Sequence, residues 1–166
     1  MNVAMAILAF VVAQRLIEVA YAARNTRALM ARGAIEIGRK HYPLFFLLHG
    51  AWLVAIAVSL PQEPVIRVVP LSLYVLLQFG RLWVIASLEA YWTTRIITLP
   101  GAPLVRRGPY RWLNHPNYVV VVGEIATLPL VFDLVAIAII FSLLNVALLA
   151  WRIREENRAL APRMVS

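Results

Sequence analysis

The sequence predicts an all-α integral membrane protein with five transmembrane segments, of which the last two form a tight helical hairpin. Hydrophobic residues make up 62% of the chain and charged residues 14%, against roughly 45–50% and about 25% in a soluble domain. Five apolar runs divide the chain, and the basic residues gather between them. Its 166 residues suit one domain. We therefore interpret 1–166 as a single unit, with three spans in 1–91 and a loop, hairpin and tail in 92–166.

The apolar runs cover residues 3–23, 44–60, 65–88, 118–132 and 134–151. A helix that crosses a bilayer needs about 20 residues, so the first three runs are long enough. The fourth run is short, and after its last residue, Phe132, only Asp133 separates it from the fifth. This spacing predicts a helical hairpin with both ends on one side of the membrane, and it leaves open whether the tip crosses the bilayer.

The first run is interpreted as a retained span rather than a signal peptide. No basic residue precedes it, and Gln14, Arg15 and Glu18 interrupt it. Arg15 and Glu18 lie three residues apart, so they are expected to pair on one helix face.

The distribution of basic residues predicts the orientation. Cytoplasmic loops carry an excess of Lys and Arg, whereas only Arg67 lies near the second turn and only Asp133 at the hairpin tip. The first loop, the third loop and the tail hold the other loop cations: Arg24, Arg27, Arg32, Arg39, Lys40, Arg95, Arg106, Arg107, Arg111, Arg152, Arg154, Arg158 and Arg163. We expect an outside N-terminus and a cytosolic C-terminus. This topology accounts for the net charge of +8, so a nucleic-acid partner is not expected.

Four prolines interrupt the segment between the third and fourth spans. Pro100, Pro103, Pro109 and Pro116 each disfavour helix at the preceding residue. Irregular backbone at a membrane must line a cavity or be covered by protein, because lipid cannot satisfy its polar groups. The segment is a candidate pocket wall, and an exposed loop is the alternative.

His115 ends this segment where the fourth helix begins. Pro116 suits a first helical position, which places His115 beside free backbone N–H groups that bind anions. His115 is suited to hydrogen-bond a ligand or to act as a base, and a purely structural hydrogen bond is the alternative. Tyr110, Trp112 and Tyr118 suit contact with a flat ring or a cation, or anchoring at the interface.

Three further residues are candidates for chemistry. Arg152 and Glu156 are four apart and share one helix face, where they form either a surface ion pair or two contacts to a charged ligand. Glu124 lies two turns into the fourth helix, inside from His115. It is the best buried acid for a substrate or cofactor contact, although pairing between helices is at least as good an interpretation. The chain has no cysteine, and no two histidines have metal-ligand spacing, so a metal site is not expected.

The segment Gly108-x-Tyr110 followed by His115-Pro116-x-Tyr118, a short hairpin and Arg152-x-x-x-Glu156 resembles the signature of the isoprenylcysteine carboxyl methyltransferase family. Members of this family are integral membrane enzymes. The resemblance covers roughly residues 92–160, and the first two spans carry little of it.

The resemblance implies S-adenosylmethionine as methyl donor, bound in a cytosolic pocket over the hairpin. It implies that Arg152 approaches the acceptor, while His115 and Glu124 remain candidates for assisting catalysis. The cofactor-binding residues that it implies are Arg95, Ala102, Pro103, Leu104, Val105, Tyr110, His115, Pro116, Asn117, Tyr118 and Glu156.

Two positions bear on the acceptor. Asn157 stands where the family usually has a second acid, and Asn114 stands where eukaryotic members have Arg. With the Trp-Thr-x-Arg-Ile, Gly-Pro-Tyr-Arg and Glu-Asn-x-Ala-Leu elements, the chain is more similar to a bacterial branch associated with type III polyketide synthases. That branch O-methylates long-chain alkylpyrones and alkylresorcinols. We therefore expect a bacterial inner-membrane enzyme, functionally linked to such a synthase, whose lipophilic acceptor arrives from the bilayer between the third and fourth spans.

Other functions remain open. The same chemistry on a prenylcysteine carboxylate or a phospholipid amine is one alternative, and Arg152 favours the carboxylate over the cationic amine. A nicotinamide-dependent membrane reductase is another, because small sterol reductases have related tail motifs. The last alternative is a non-catalytic membrane subunit in which these polar segments are only structural.

Overall fold

Five helices build the protein in the computed structural model, which describes residues 2–39 and 42–164, with side chains described up to residue 158. The helices are α1 (Val3–Ala31), α2 (Tyr42–Ser59), α3 (Val68–Leu88), α4 (Pro116–Val131) and α5 (Val135–Met164). The predicted all-α class is confirmed, with the addition of one two-stranded ribbon formed by β1 (Ile35–Ile37) and β2 (Ile96–Thr98), which run antiparallel.

Four of these helices are long and apolar enough to cross a membrane: α1, α2, α3 and α5. The helix α4 has 16 residues and is shorter than the roughly 17 that a crossing needs, so the fifth span stays a prediction. Both α1 and α5 continue past their apolar runs. An apolar run predicts only the part of a helix that is suited to lipid. The helix α1 continues to Ala31, where the N–H groups of Arg32 and Gly33 donate to the carbonyls of Leu29 and Met30.

The hairpin between α4 and α5 is confirmed. Its turn holds Asp133 in the left-handed region, at φ 63°, where Asp is better tolerated than most residues. Arg67 donates to the Asp133 carboxylate at 2.9 and 3.3 Å, and the Arg67 backbone N–H donates to the Val131 carbonyl at 2.8 Å. These bonds fasten the hairpin tip to the start of α3.

The ribbon brings the first and third loops to one end of the bundle, which we call the loop end. Register pairs Ile35 with Thr98 and Ile37 with Ile96, and His115 lies 3.0 Å from Asn157 of the tail. The expected meeting of both polar segments at one end is confirmed. Lys40 lies outside the described residues, as does the Arg163 side chain.

Three layers follow one another along the bundle axis. An apolar core built around Leu8, Trp52, Ile125 and Phe132 occupies the end that holds the hairpin tip. The middle layer is charged. A small apolar cluster of Ala22, Val84 and Trp92 then separates it from the loop end.

The charged layer consists of Arg15 and Glu18 from α1, Arg81 from α3 and Glu124 from α4, which we call the charge quartet. Arg15 contacts Glu18 at 3.0 Å and Glu124 at 2.9 Å. Arg81 contacts Glu18 at 2.7 Å and Glu124 at 2.8 Å. Each cation therefore meets both anions, and the four formal charges cancel. The expected pairing of Arg15 with Glu18 is confirmed, and Gln78 adds a hydrogen bond to Glu124 at 2.9 Å.

Replacing Arg81 with Met should lower the free energy of unfolding by about 3 kcal/mol or more, because removing one partner of a buried ion pair leaves an uncompensated charge. The variant leaves two carboxylates facing one guanidinium. Thermal unfolding in detergent measures the effect. Arg67→Met, which breaks an exposed pair, is the control. Equal losses in the two variants would contradict a special role for the quartet.

The exposed Arg67–Asp133 pair should give a pH-dependent difference. The hydrogen bond from Arg67, followed by its charge, holds the pKa of Asp133 below its usual value. A lowered acid pKa contributes stability that is complete above the unfolded pKa of about 3.9 and is lost as pH falls through the folded pKa. The melting temperatures of wild type and Arg67→Met should differ at pH 7 and converge under strong acid. A difference in melting temperature that persists in strong acid would show that the Arg67–Asp133 pair does not cause it.

Candidate functional site

A cavity of about 670 Å³ opens at the loop end. Its wall is formed by the loop before α4, the first turn of α4, the ribbon and the part of α5 that carries Arg152 and Glu156. The polar and aromatic side chains in this wall are Tyr91, Trp92, Thr93, Arg95, Arg106, Tyr110, Arg111, Asn114, His115, Asn117, Tyr118, Arg152, Glu156 and Asn157. A volume of 300–1,000 Å³ is usual for small-molecule sites.

Gly108 sets the course of the loop that carries Tyr110. Its φ is +55°, and a Cβ at this position would collide with Ser87 Oγ and lie 3.1 Å from Trp83 Nε1. Arg107 holds the same segment, since its Nε donates to the Ser87 carbonyl at 2.7 Å. Tyr110 is thereby held in the cavity wall, where burial and then the Glu156 charge raise its phenol pKa above the usual value.

The first turn of α4 presents His115 and Tyr118. His115 is the residue before the helix, and Pro116 takes the first helical position, as predicted. The His115 and Tyr118 rings stack with centroids 5.3 Å apart. The His115 Nδ1 lies 3.6 Å from Glu156, and its Nε2 lies 3.0 Å from Asn157 Oδ1. The α4 terminus and the tail therefore form one wall.

Arg152 and Glu156 are joined through Tyr118. The Nε of Arg152 donates to the Tyr118 hydroxyl at 2.8 Å, and that hydroxyl donates to the Glu156 carboxylate. A second Arg152 nitrogen donates to the Thr94 carbonyl at 2.8 Å, and the guanidinium lies 5.0 Å from the centre of the Phe45 ring. Arg152 is 9% exposed. These contacts fix a buried cation at the cavity wall and place a carboxylate one hydroxyl away.

Arg95, the residue immediately before β2, lines the cavity. It donates to the two Glu36 oxygens at 2.9 and 3.0 Å, and its guanidinium lies 4.7 Å from the centre of the Tyr42 ring. Glu36 and Tyr42 belong to the first loop and to α2. They were not predicted as part of the site, since no motif connects residues that lie more than 50 positions apart in sequence.

Two buried polar atoms in the wall have no hydrogen-bond partner among the described residues. They are the Trp92 Nε1 and the Asn117 Oδ1. Asn25, buried on α1, fixes Trp92 by donating to the Glu89 and Trp92 carbonyls at 3.0 Å each. A buried donor and a buried acceptor without partners are costly, and a bound ligand with polar groups would satisfy them.

Most of the predicted residues meet in this wall. The structure brings together Arg95, Pro103, Leu104, Val105, Tyr110, His115, Asn117, Tyr118, Arg152 and Glu156. Ala102 packs instead against the cluster of Leu29, Ala34 and Leu99, and Pro116 is buried in the first turn of α4.

Glu124 lies in the charge quartet, where its oxygens face α1 and α3 rather than the cavity. Among the residues that the structure describes, no group of three or more His, Asp or Glu side chains is placed to hold a metal ion.

Replacing Gly108 with Ala should destabilise the protein by the left-handed backbone cost of about 1–2 kcal/mol and by the contact with Ser87. Gly101→Ala is the matched control, because Gly101 has φ +75° and open space around it. Adding Ser87→Gly should recover the contact part of the loss. Melting temperatures in detergent measure all three variants. A Gly108→Ala loss no larger than that of Gly101→Ala would rule out the tight contact.

Comparison with known proteins identifies the family. The model of the isoprenylcysteine carboxyl methyltransferase (ICMT) family matches residues 69–162. The uncharacterized protein YpbQ of Bacillus subtilis (strain 168) is 37% identical over 158 residues, which cover 93% of this chain and 94% of that protein. An uncharacterized protein of Haemophilus influenzae is 25% identical over 158 residues, or 92% of each chain. No solved structure matches the chain significantly. The chain belongs to the ICMT family, and this membership indicates a membrane methyltransferase.

Proposed function

We propose that this protein transfers a methyl group from S-adenosylmethionine to the hydroxyl of a long-chain alkylpyrone or alkylresorcinol. One observation carries the proposal. Arg152 is held at the cavity wall by Tyr118 and Thr94, with Glu156 bound to the same Tyr118 hydroxyl. A fixed cation and a nearby anion suit an acceptor that develops negative charge and a donor that carries positive charge.

The residues of the cavity fit the donor. Glu156 is suited to accept hydrogen bonds from the amino group of S-adenosylmethionine. The N–H groups at the start of α4 are suited to bind the carboxylate of the same molecule. The Asn117 Oδ1 and the Trp92 Nε1 offer an acceptor and a donor that lack partners. Aromatic rings at Tyr110 and Tyr118 provide faces for a cation or a flat ring. When bound, S-adenosylmethionine supplies a methyl group on a positively charged sulfur.

In this proposal, Arg152 stabilises the negative charge that develops on the acceptor oxygen. An enol or phenol oxygen that loses its proton becomes an anion, and a nearby guanidinium favours the charged form. Tyr118 and Thr94 restrain Arg152 on two sides. The guanidinium is therefore already in position and does not need to move when the acceptor becomes charged. Methyl transfer depends strongly on alignment of the reacting atoms, and this restraint supplies part of it.

His115 has a lesser part. It stacks on Tyr118 and contacts Glu156 and Asn157, so it orders the wall that holds the donor. A pyrone enol is acidic enough to lose its proton with little help. We therefore assign His115 to positioning and to modest assistance in passing that proton to solvent.

The proposal extends to location and partner. The loop end carries most of the basic residues, which favours a cytosolic position for it and for the C-terminus. The donor then enters from the cytosol of a bacterium, and the acceptor enters from the inner membrane. A type III polyketide synthase makes acceptors of this class, so we propose a functional link to such an enzyme.

The test is transfer of labelled methyl from S-adenosylmethionine by the detergent-purified protein. An alkylpyrone and an alkylresorcinol are offered beside a farnesylcysteine analogue. Label in the polyketides is expected. Label only in farnesylcysteine would show that the proposed acceptor is wrong and that methyl transfer from S-adenosylmethionine is right. Binding of a nicotinamide cofactor in place of S-adenosylmethionine would overturn the proposal in favour of a reductase.

Two variants should separate the roles of the tail residues. Arg152→Lys keeps the charge and loses the planar donor set, so kcat should fall about a hundredfold or more with donor affinity unchanged. Glu156→Gln should weaken donor binding about tenfold, because it removes a charged hydrogen-bond acceptor. Arg154→Lys, an exposed position on the same helix, should behave as wild type. Loss of donor affinity in Arg152→Lys would contradict this division.

A further inference from the structure

A second hollow lies on the side of the bundle, between α2 and α5. It has a volume of about 580 Å³. Its wall contains Leu44, Leu48 and Ala51 from α2 and Leu144, Ala147 and Trp151 from α5. All of its lining residues are apolar, and several of them are exposed on the surface that faces lipid. We call it the side groove.

The side groove lies next to the candidate site, although none of the described residues lines both. Trp151 lines the groove, and the next residue, Arg152, lines the cavity. On α2, Leu44 lines the groove, and the ring of the next residue, Phe45, lies 5.0 Å from the Arg152 guanidinium. The contact between Phe45 and Arg152 is thus the boundary between the groove and the cavity.

The route that we expected between the third and fourth spans is obstructed by close packing. A Cβ on Gly80 of α3 would lie 3.5 Å from Val120 of α4. A Cβ on Gly123 of α4 would lie 2.8 Å from the Leu77 methyls of α3. Small residues let these two helices approach closely, so a bulky acceptor has no room there.

We infer that the side groove binds the alkyl chain of the acceptor, so that the chain lies between α2 and α5 while the hydroxyl reaches Arg152. The inference rests on the proposed methyl transfer. From Phe141 to Trp151 the groove follows α5 for about 15 Å, which an extended chain of about twelve carbons would fill. The small side chains of Ala51 and Ala147 leave the groove open for such a chain. A groove without polar groups suits an unsubstituted hydrocarbon chain.

The groove acts by positioning the alkyl chain, not by drawing the chain out of the bilayer. Lipid tails are as apolar as the groove, so moving a chain from the bilayer into it gains little from the hydrophobic effect. A chain held along α5 instead limits where the hydroxyl can lie, and alignment of reacting atoms strongly affects the rate. Methyl transfer at a fixed mole fraction of acceptor in detergent should therefore depend on chain length.

Ala147→Phe tests the assignment by filling the groove. The acceptors are alkylresorcinols from methyl to pentadecyl. For the pentadecyl acceptor, kcat/KM should fall about tenfold, towards the value for the methyl homologue. Turnover of the methyl homologue and donor affinity should stay as in wild type. Ala150→Phe, an exposed alanine on α5 that does not line the groove, should change neither. Equal effects of the two variants would overturn the assignment, as would a wild-type rate independent of chain length.

A second measurement does not depend on turnover. An alkylresorcinol with a photoreactive diazirine at the end of its chain should label groove residues of α2 and α5, as mapped by mass spectrometry. An excess of pentadecylresorcinol should suppress the labelling, and Ala147→Phe should prevent it. Labelling that only bulk phospholipid suppresses would show a groove for ordinary membrane lipid and overturn the assignment. Absence of methyl transfer to every acceptor would contradict the proposed function. The labelling would still show whether the side groove binds the alkyl chain.

Discussion

The charge quartet is the constraint on which the rest of the structure depends. Charged side chains inside a membrane are expensive unless they are paired or hydrated. In this bundle each of two arginines reaches both of two glutamates, and the four side chains come from α1, α3 and α4. Geometry that satisfies all four contacts leaves these helices little freedom to slide or rotate. The quartet therefore fixes α4, whose first turn forms a wall of the candidate site.

The loop end is held in place from the first helix as well. Asn25 binds the Glu89–Trp92 turn, and Glu36 binds Arg95 through the ribbon. Segments between helices would otherwise be the least restrained parts of the bundle. In this protein, two side chains from the N-terminal region hold the segment that carries Trp92 and Arg95. The cavity is thus built on restrained backbone, as a site that depends on alignment requires.

Much of this arrangement was predictable, for identifiable reasons. Helices in lipid follow from composition, and the one-turn spacing of Arg152 and Glu156 predicts that they share one helix face. The Glu124 position was ambiguous because a buried acid looks the same in sequence whether it meets a ligand or an arginine. Glu36, Tyr42 and Phe45 escaped prediction because their partners are remote in sequence. The end of α1 was missed because hydropathy reports the edge of the lipid, not the last hydrogen-bonded turn.

Two aromatic rings at the start of α2 rest against two cations of the cavity. Tyr42 lies against Arg95, and Phe45 lies against Arg152. The family match begins at residue 69, so both rings stand outside the segment that it covers. A change of shape on α2 can therefore reshape the cavity without altering any residue of that segment.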